Sequence, residues 1–192
     1  MKEFLASLKM ILALTLLTGV FYPLFITGFS HLFMAKQAEG SLFIVKGKVI
    51  GSRLIGQKFE SNIYFWPRPS ACNYNGAASQ ASNLGPTSAL LKETIEERKS
   101  HLIASHGLGE QLQVPADLLF SSGSGLDPHI SLQAALFQIE RVSSARNYSD
   151  EQKAYLIKLV LSLATRPSLG CMGEPYVNVL ELNASMEDFH VR

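Results

Sequence analysis

Met10-Ile11-Leu12-Ala13-Leu14-Thr15-Leu16-Leu17-Thr18-Gly19-Val20-Phe21-Tyr22-Pro23-Leu24-Phe25-Ile26-Thr27-Gly28-Phe29-Ser30-His31-Leu32-Phe33-Met34-Ala35 contains no Asp, Glu, Lys or Arg. As a helix rising ~1.5 Å per residue it would measure roughly 39 Å, against a bilayer hydrocarbon core of ~30 Å. It is long enough to cross with tilt. A secretory signal is the rival reading, because Lys2 and Lys9 resemble its basic leader. A signal core is usually only about 7–15 residues long, and Met34-Ala35-Lys36-Gln37-Ala38 is a poor cleavage site. The stretch therefore reads as a retained anchor. Residues 1–9 form a short leading segment, 10–35 the span, and 36–192 one domain.

Charge does not orient the span. Lys2, Lys9 and the amino terminus lie on one side, and Lys36, Lys46, Lys48 and Arg53 on the other. A long domain can be carried across whatever its charge. Thr15 and Gly19, four residues apart, begin a stripe of small residues of the kind that lets membrane helices approach closely. Pro23, mid-span, should kink the helix or mark a bend. One span cannot enclose a pore, so conduction would need other chains.

The remaining chain alternates between strand-like and helix-like text. The run Leu42-Phe43-Ile44-Val45 is β-branched and aromatic, Gly47 and Gly51 punctuate the residues after it, and Asn62 to Phe65 reads as a further short strand. Residues 67–86 read as a long loop, a length that is usually functional or docked. Thr87 or Ser88 can cap a helix that turns Leu91, Ile95, Leu102 and Ile103 inward and Lys92, Glu93, Glu96, Glu97 and Arg98 outward, ending between His106 and Gly109. Ser131 caps a second helix, and Ser149-Asp150-Glu151-Gln152 is a capping box for a third. Tyr176 to Leu182 alternates apolar with polar, as a half-buried strand does. Strands at both ends with helices between them predict a mixed α/β (α+β) domain behind one N-terminal transmembrane helix.

Chemistry-bearing motifs are few. Ser122-Gly123-Ser124-Gly125-Leu126-Asp127-Pro128-His129 offers the Ser, Asp and His of a hydrolase. Such triads are normally assembled from distant segments, and Ser124 has Gly on both sides where a nucleophile elbow needs Gly two positions away. A tight turn is the better reading. No P-loop and no dinucleotide fingerprint occurs. His31, His101, His106, His129 and His190 do not fall at metal-ligand spacings, and His101 and His106 read as surface residues. A net charge of +1 offers no field for nucleic acid. Cys72 and Cys171 could close a loop of about 100 residues, worth up to ~4.7 kcal/mol in the entropic treatment, or stay as two thiols.

Several strings in order resemble one family. They are Gly40-Ser41-Leu42, Gly51-Ser52-Arg53-Leu54-Ile55-Gly56-Gln57 with Phe59, and Tyr64-Phe65-Trp66-Pro67-Arg68-Pro69-Ser70-Ala71. Ser82-Asn83-Leu84-Gly85-Pro86, Val114-Pro115-Ala116-Asp117-Leu118 and Ser122 to Ser131 come next. Arg141-Val142 with Ala145-Arg146, then Gly173-Glu174-Pro175 with Val177 to Asn183, complete the set. Together, behind an N-terminal span, they resemble the KdpC family, the small subunits of Kdp potassium-transporting P-type ATPases. Leu132, where the family often has Pro, and Tyr176, where it often has a basic residue, depart from the pattern; Cys72 and Cys171 lie outside it.

The resemblance implies a non-catalytic accessory subunit in a complex with a channel-like potassium-binding subunit, a P-type ATPase subunit and a small single-span subunit. The complex, not this chain, would handle ATP and potassium. The domain would lie outside the cytoplasmic (inner) membrane of a bacterium, with the N-terminus inside. The family has been proposed to raise ATP affinity in the ATPase subunit as a catalytic chaperone; a domain across the membrane from the nucleotide could act only through helix packing. Stabilising assembly is the simpler expectation. Candidate contacts are Thr15 and Gly19 in the span, and the loops Arg68-Pro69-Ser70 and Gly125-Leu126-Asp127-Pro128-His129, whose alternative use is building turns within the domain. Two other classes stay open, a membrane-anchored hydrolase using Ser124 and His129 and an envelope scaffold or sensor unrelated to potassium.

Overall fold

The computed structural model describes residues 1–107, 113–167 and 169–190. A long apolar helical run is followed by a mixed helix and strand domain, and the chain divides into compact units Met1–Phe43 and Ile44–Arg192.

In the first unit, α1 (Lys2–Leu16), a π turn (Leu17–Phe21) and α2 (Tyr22–Phe33) form one continuous run of 32 residues. None of its side chains is buried. Pro23 explains the wide turn: it has no N–H to give to the carbonyl four residues back, and its ring crowds that carbonyl. The predicted bend is thus expressed as a π turn just upstream of Pro23. The short α3 (Ala35–Ala38) comes after it.

The second unit begins within a hairpin. Strands β1 (Leu42–Val45) and β2 (Lys48–Ser52) pair across the turn Lys46-Gly47, whose two residues both have positive φ, 49° and 77°. That is the turn whose twist matches a two-residue hairpin.

Three predicted helices form from the predicted caps. Ser88 Oγ accepts from Leu91 N at the start of α4 (Ala89–His106), and Gly107 ends it in the left-handed conformation; Gly109 lies outside the described residues. Ser131 Oγ accepts from Ala134 N to start α5 (Leu132–Ala145). Ser149 and Gln152 make the reciprocal box that starts α6 (Asp150–Leu163).

Two strand readings are corrected. The stretch Tyr176 to Leu182 splits: β4 (Tyr176–Asn178) pairs antiparallel with β3 (His129–Ser131), and α7 (Val179–His190) begins at once. Asn178 Oδ1 accepts from Glu181 N, which caps a helix rather than prolonging a strand. Val179, Leu182 and Met186 then fall on one helical face and are buried. The alternation was real but three residues long.

Asn62 to Phe65 is no strand either, although its backbone is extensively bonded. Asn183 of α7 accepts from Phe65 N (2.8 Å) and donates to Phe65 O (3.0 Å). Gln138 of α5 does the same for Trp66, at 2.7 and 3.1 Å. Arg141 donates to the carbonyls of Asn62 and Tyr64, and Arg146 to that of Ile63. Two carboxamides copy the donor–acceptor pair of a neighbouring strand, so Phe65 sits fully buried without one. It enters a core built from α5, α6, α7 and the β3–β4 pair.

Candidate subunit-contact site

The loops at Arg68–Ser70 and Gly125–His129 lie far apart in sequence, and the fold brings them together. Ser70 Oγ is the hub. It accepts from Cys72 N (3.2 Å) and Tyr74 N (2.9 Å) and donates to Gly125 O (2.6 Å). Tyr74 OH donates back to Arg68 O at 2.7 Å, and burial pushes its phenol up to about 12. Gly125 is required at its position: φ is 68°, and a Cβ there would stand 2.6 Å from Gln80 O and 2.8 Å from Cys72 Sγ.

Asp127 organises the second loop. Its Oδ1 accepts from His129 N (3.0 Å) and lies 3.3 Å from His129 Nδ1, while Oδ2 meets Arg68 Nη1 at 3.2 Å. Partial burial opposes the charge on Asp127, but the His129 bonds and the Arg68 guanidinium prevail and hold its carboxyl below the usual range. The His129 ring meets Tyr176 edge-on at 4.6 Å.

Further motif strings converge on the same loop. Gly56 N donates to Leu126 O at 2.7 Å, and a Cβ on Gly56 would come within 2.7 Å of Asp127 O. Val179 N donates to Pro128 O (3.0 Å), and Asn178 Nδ2 to Arg53 O (2.8 Å). Arg53 also pairs with Glu181 at 3.0 Å. The strings from Gly51, Tyr64, Ser122 and Val177 thus hold one another in place.

A shallow groove of about 250 Å³ beside this junction is lined by Arg68, Asp117, Asp127, His129, Glu174 and Tyr176. A larger cleft of about 580 Å³ opens on the other side of Arg68–Ser70, with Trp66, Tyr74, Arg98 and His101 in its walls. The junction is rigid, polar and internally paired, which suits recognition by shape. Exposed Ser124 Oγ accepts from Leu126 N and makes no hydrogen bond to His129. Among the described residues no cluster of His, Cys, Asp and Glu is placed to hold a metal ion. Cys72 and Cys171 are free thiols. Cys72 sits against Ser70 Oγ and Gly125 O, and the Ser70 bond leads the influences that lower its thiol. Thr15 lies in α1 and Gly19 in the π turn.

Sequence reading missed several residues. His106 is buried, not superficial: its Nδ1 lies 2.8 Å from Leu102 O, its ring packs on Phe137, and its Nε2 has no partner among the described residues. Burial, above all, lowers its basicity, with Arg141 adding to the effect and the Leu102 carbonyl opposing it. Arg98 is half-buried rather than outward, donating to Leu119 O at 2.6 Å. Gln138, Arg141, Arg146 and Asn183 carried a signal that went unused: polar residues set into the apolar stripe of a helix need a buried partner.

Comparison with known proteins gives a consistent result. The family described as KdpC, K+-transporting ATPase, c chain, matches residues 4–188. The potassium-transporting ATPase KdpC subunit of Leptospira interrogans is 46% identical over 181 residues, 94% of this chain and 91% of that protein. Those of Methylococcus capsulatus and Serratia proteamaculans are each 45% identical, over 188 and 184 residues. The matches cover 96% and 94% of this chain, and 97% and 95% of those proteins.

Proposed function

Because the chain belongs to the KdpC family, the c chains of K+-transporting ATPases, we propose that it is a non-catalytic accessory subunit that holds its complex together from outside the cytoplasmic membrane. Residues 10–35 cross the membrane with residues 1–9 inside, and residues 36–192 form the outer domain. The partners are a channel-like potassium-binding subunit, a P-type ATPase subunit and a small single-span subunit. ATP and potassium are handled by those chains.

The observation that carries this reading is the junction of Arg68–Ser70 with Gly125–His129. It presents a prearranged surface without a nucleophile–base pair, and prearrangement lowers the ordering cost of docking. The contact on the outer face of the channel-like subunit is assigned to this junction. Within the membrane, Thr15 and Gly19 supply the packing face. An effect on ATP affinity would reach the ATPase subunit through that helix packing.

Affinity purification of the complex through a tag on another subunit tests the proposal. Asp127→Asn and Arg68→Ala should each lower recovery of this chain about fivefold or more, as loss of one buried polar contact worth ~1–3 kcal/mol implies. Full recovery with normal potassium uptake would reject the contact role. A Ser124→Ala variant should assemble and transport as wild type.

A further inference from the structure

The β1–β2 hairpin and the turn that follows it carry apolar side chains that the domain does not cover. Ile44 is 59% exposed, Val49 58%, Ile50 45% and Leu54 62%. Successive strand residues point to opposite faces, so the adjacent Val49 and Ile50 leave both faces of β2 bare. Lys46 and Lys48 stand at the hairpin tip and form no ion pair among the described residues. No Asp or Glu occurs between Leu42 and Gln57.

We propose that this hairpin lies in the headgroup layer of the membrane, with Ile44, Val49, Ile50 and Leu54 among the upper acyl chains and Lys46 and Lys48 on anionic phospholipid headgroups. The inference rests on the reading of Lys2–Phe33 as a membrane span. Two arguments select lipid over protein as the occupant. A protein docked on one face would leave the other wet, whereas a fluid lipid layer covers both. Lysine is depleted from protein interfaces, but beside apolar residues at a membrane surface its stem lies along the acyl region while the ammonium reaches phosphate.

Photo-crosslinking in native membranes holding the assembled complex tests this. A p-benzoylphenylalanine at position 44 or 49 should add the mass of a phospholipid to this chain on irradiation. Lys46→Gln with Lys48→Gln should reduce the anionic-lipid adducts about thirtyfold, as expected for removal of two surface cations at about 1 kcal/mol each. A crosslink from both positions to another subunit, or no lipid adduct at either, overturns the proposal. The same probe at position 24 reports on the anchor. Lipid adducts at 24 without any at 44 or 49 reject the hairpin placement alone, and their absence at 24 rejects the span and the hairpin placement with it.

Discussion

Two short segments of this chain, Leu42–Ser52 and Asn62–Trp66, solve the same problem in opposite ways. The first pairs its backbone with itself and leaves large apolar side chains uncovered. The second has no strand beside it among the described residues, yet Phe65 is fully buried and its backbone is matched by Asn183. Regular secondary structure and burial are therefore separate here. What buried backbone requires is a partner for each N–H and C=O, and the carboxamides of Gln138 and Asn183 meet that need as well as a strand would.

Arg141 offers the most severe way to break the comparison. It donates to Asn62 O (2.7 Å), Tyr64 O (3.0 Å) and Gln138 Oε1 (2.7 Å), and its guanidinium lies 3.9 Å from the centre of the Trp66 ring. Burial pulls its guanidinium down to about 10. Replacing it with Ala should cost about 3–5 kcal/mol, because two carbonyls and a carboxamide lose a charged donor and a cavity opens under Trp66. Denaturant unfolding of the full chain in detergent measures this. A loss below about 1 kcal/mol would mean that Asn62–Trp66 is held by apolar contacts alone. Asn183→Ala is the next step down. It removes both bonds to Phe65 but no charge, and should cost about 2–3 kcal/mol in the same assay.

The same contrast explains what could be read from the sequence. The helix starts were legible because Ser88, Ser131 and Ser149 act on residues three positions away, and local chemistry is written locally. The first hairpin strand was legible because Leu42–Val45 is a β-branched and aromatic run and Gly47 marks the turn after it. Asn62–Phe65 was misread because its partners lie more than 70 residues later and are side chains, which no pairing pattern announces. Asn178 was misread because one residue served both as the end of an alternation and as the cap of α7. At the candidate site the two loops were chosen separately; their mutual bonds through Arg68 and Asp127, and through Ser70 and Gly125, became visible only in three dimensions. Those bonds also show the strings of the family pattern holding the domain together, whatever they contact outside it.

A pH test sharpens the account of the buried segment. His106 packs near Trp66, and its lowered basicity, due first to burial, means that the unfolded chain binds a proton more readily than the folded one. Stability from this group is full above the ordinary histidine range. It falls as acidity carries pH through that range toward the lowered folded value. Asp127 has the opposite chemistry but loses its contribution only at lower pH, as protons reach a carboxyl already held below the usual range. Unfolding at about pH 7.5 and about pH 5 should therefore isolate the histidine. Wild type should lose more stability between the two than His106→Gln, and equal losses would place His106 elsewhere than in the buried position described.

The smallest effect is expected where the apolar residues look most important by composition. Val49→Thr keeps the β-branched shape and the hairpin bonds while making an already exposed surface more polar. It should change unfolding of the domain by no more than about 0.5 kcal/mol, as substitutions at uncovered positions do. Detergent would mask a membrane contribution, so the same variant belongs in two assays. Unfolding in micelles should be unchanged, while phospholipid crosslinking from position 44 should weaken. A loss of about 2 kcal/mol in micelles would show that Val49 is covered by the domain itself. The two segments would then differ in their backbone partners but not in their burial.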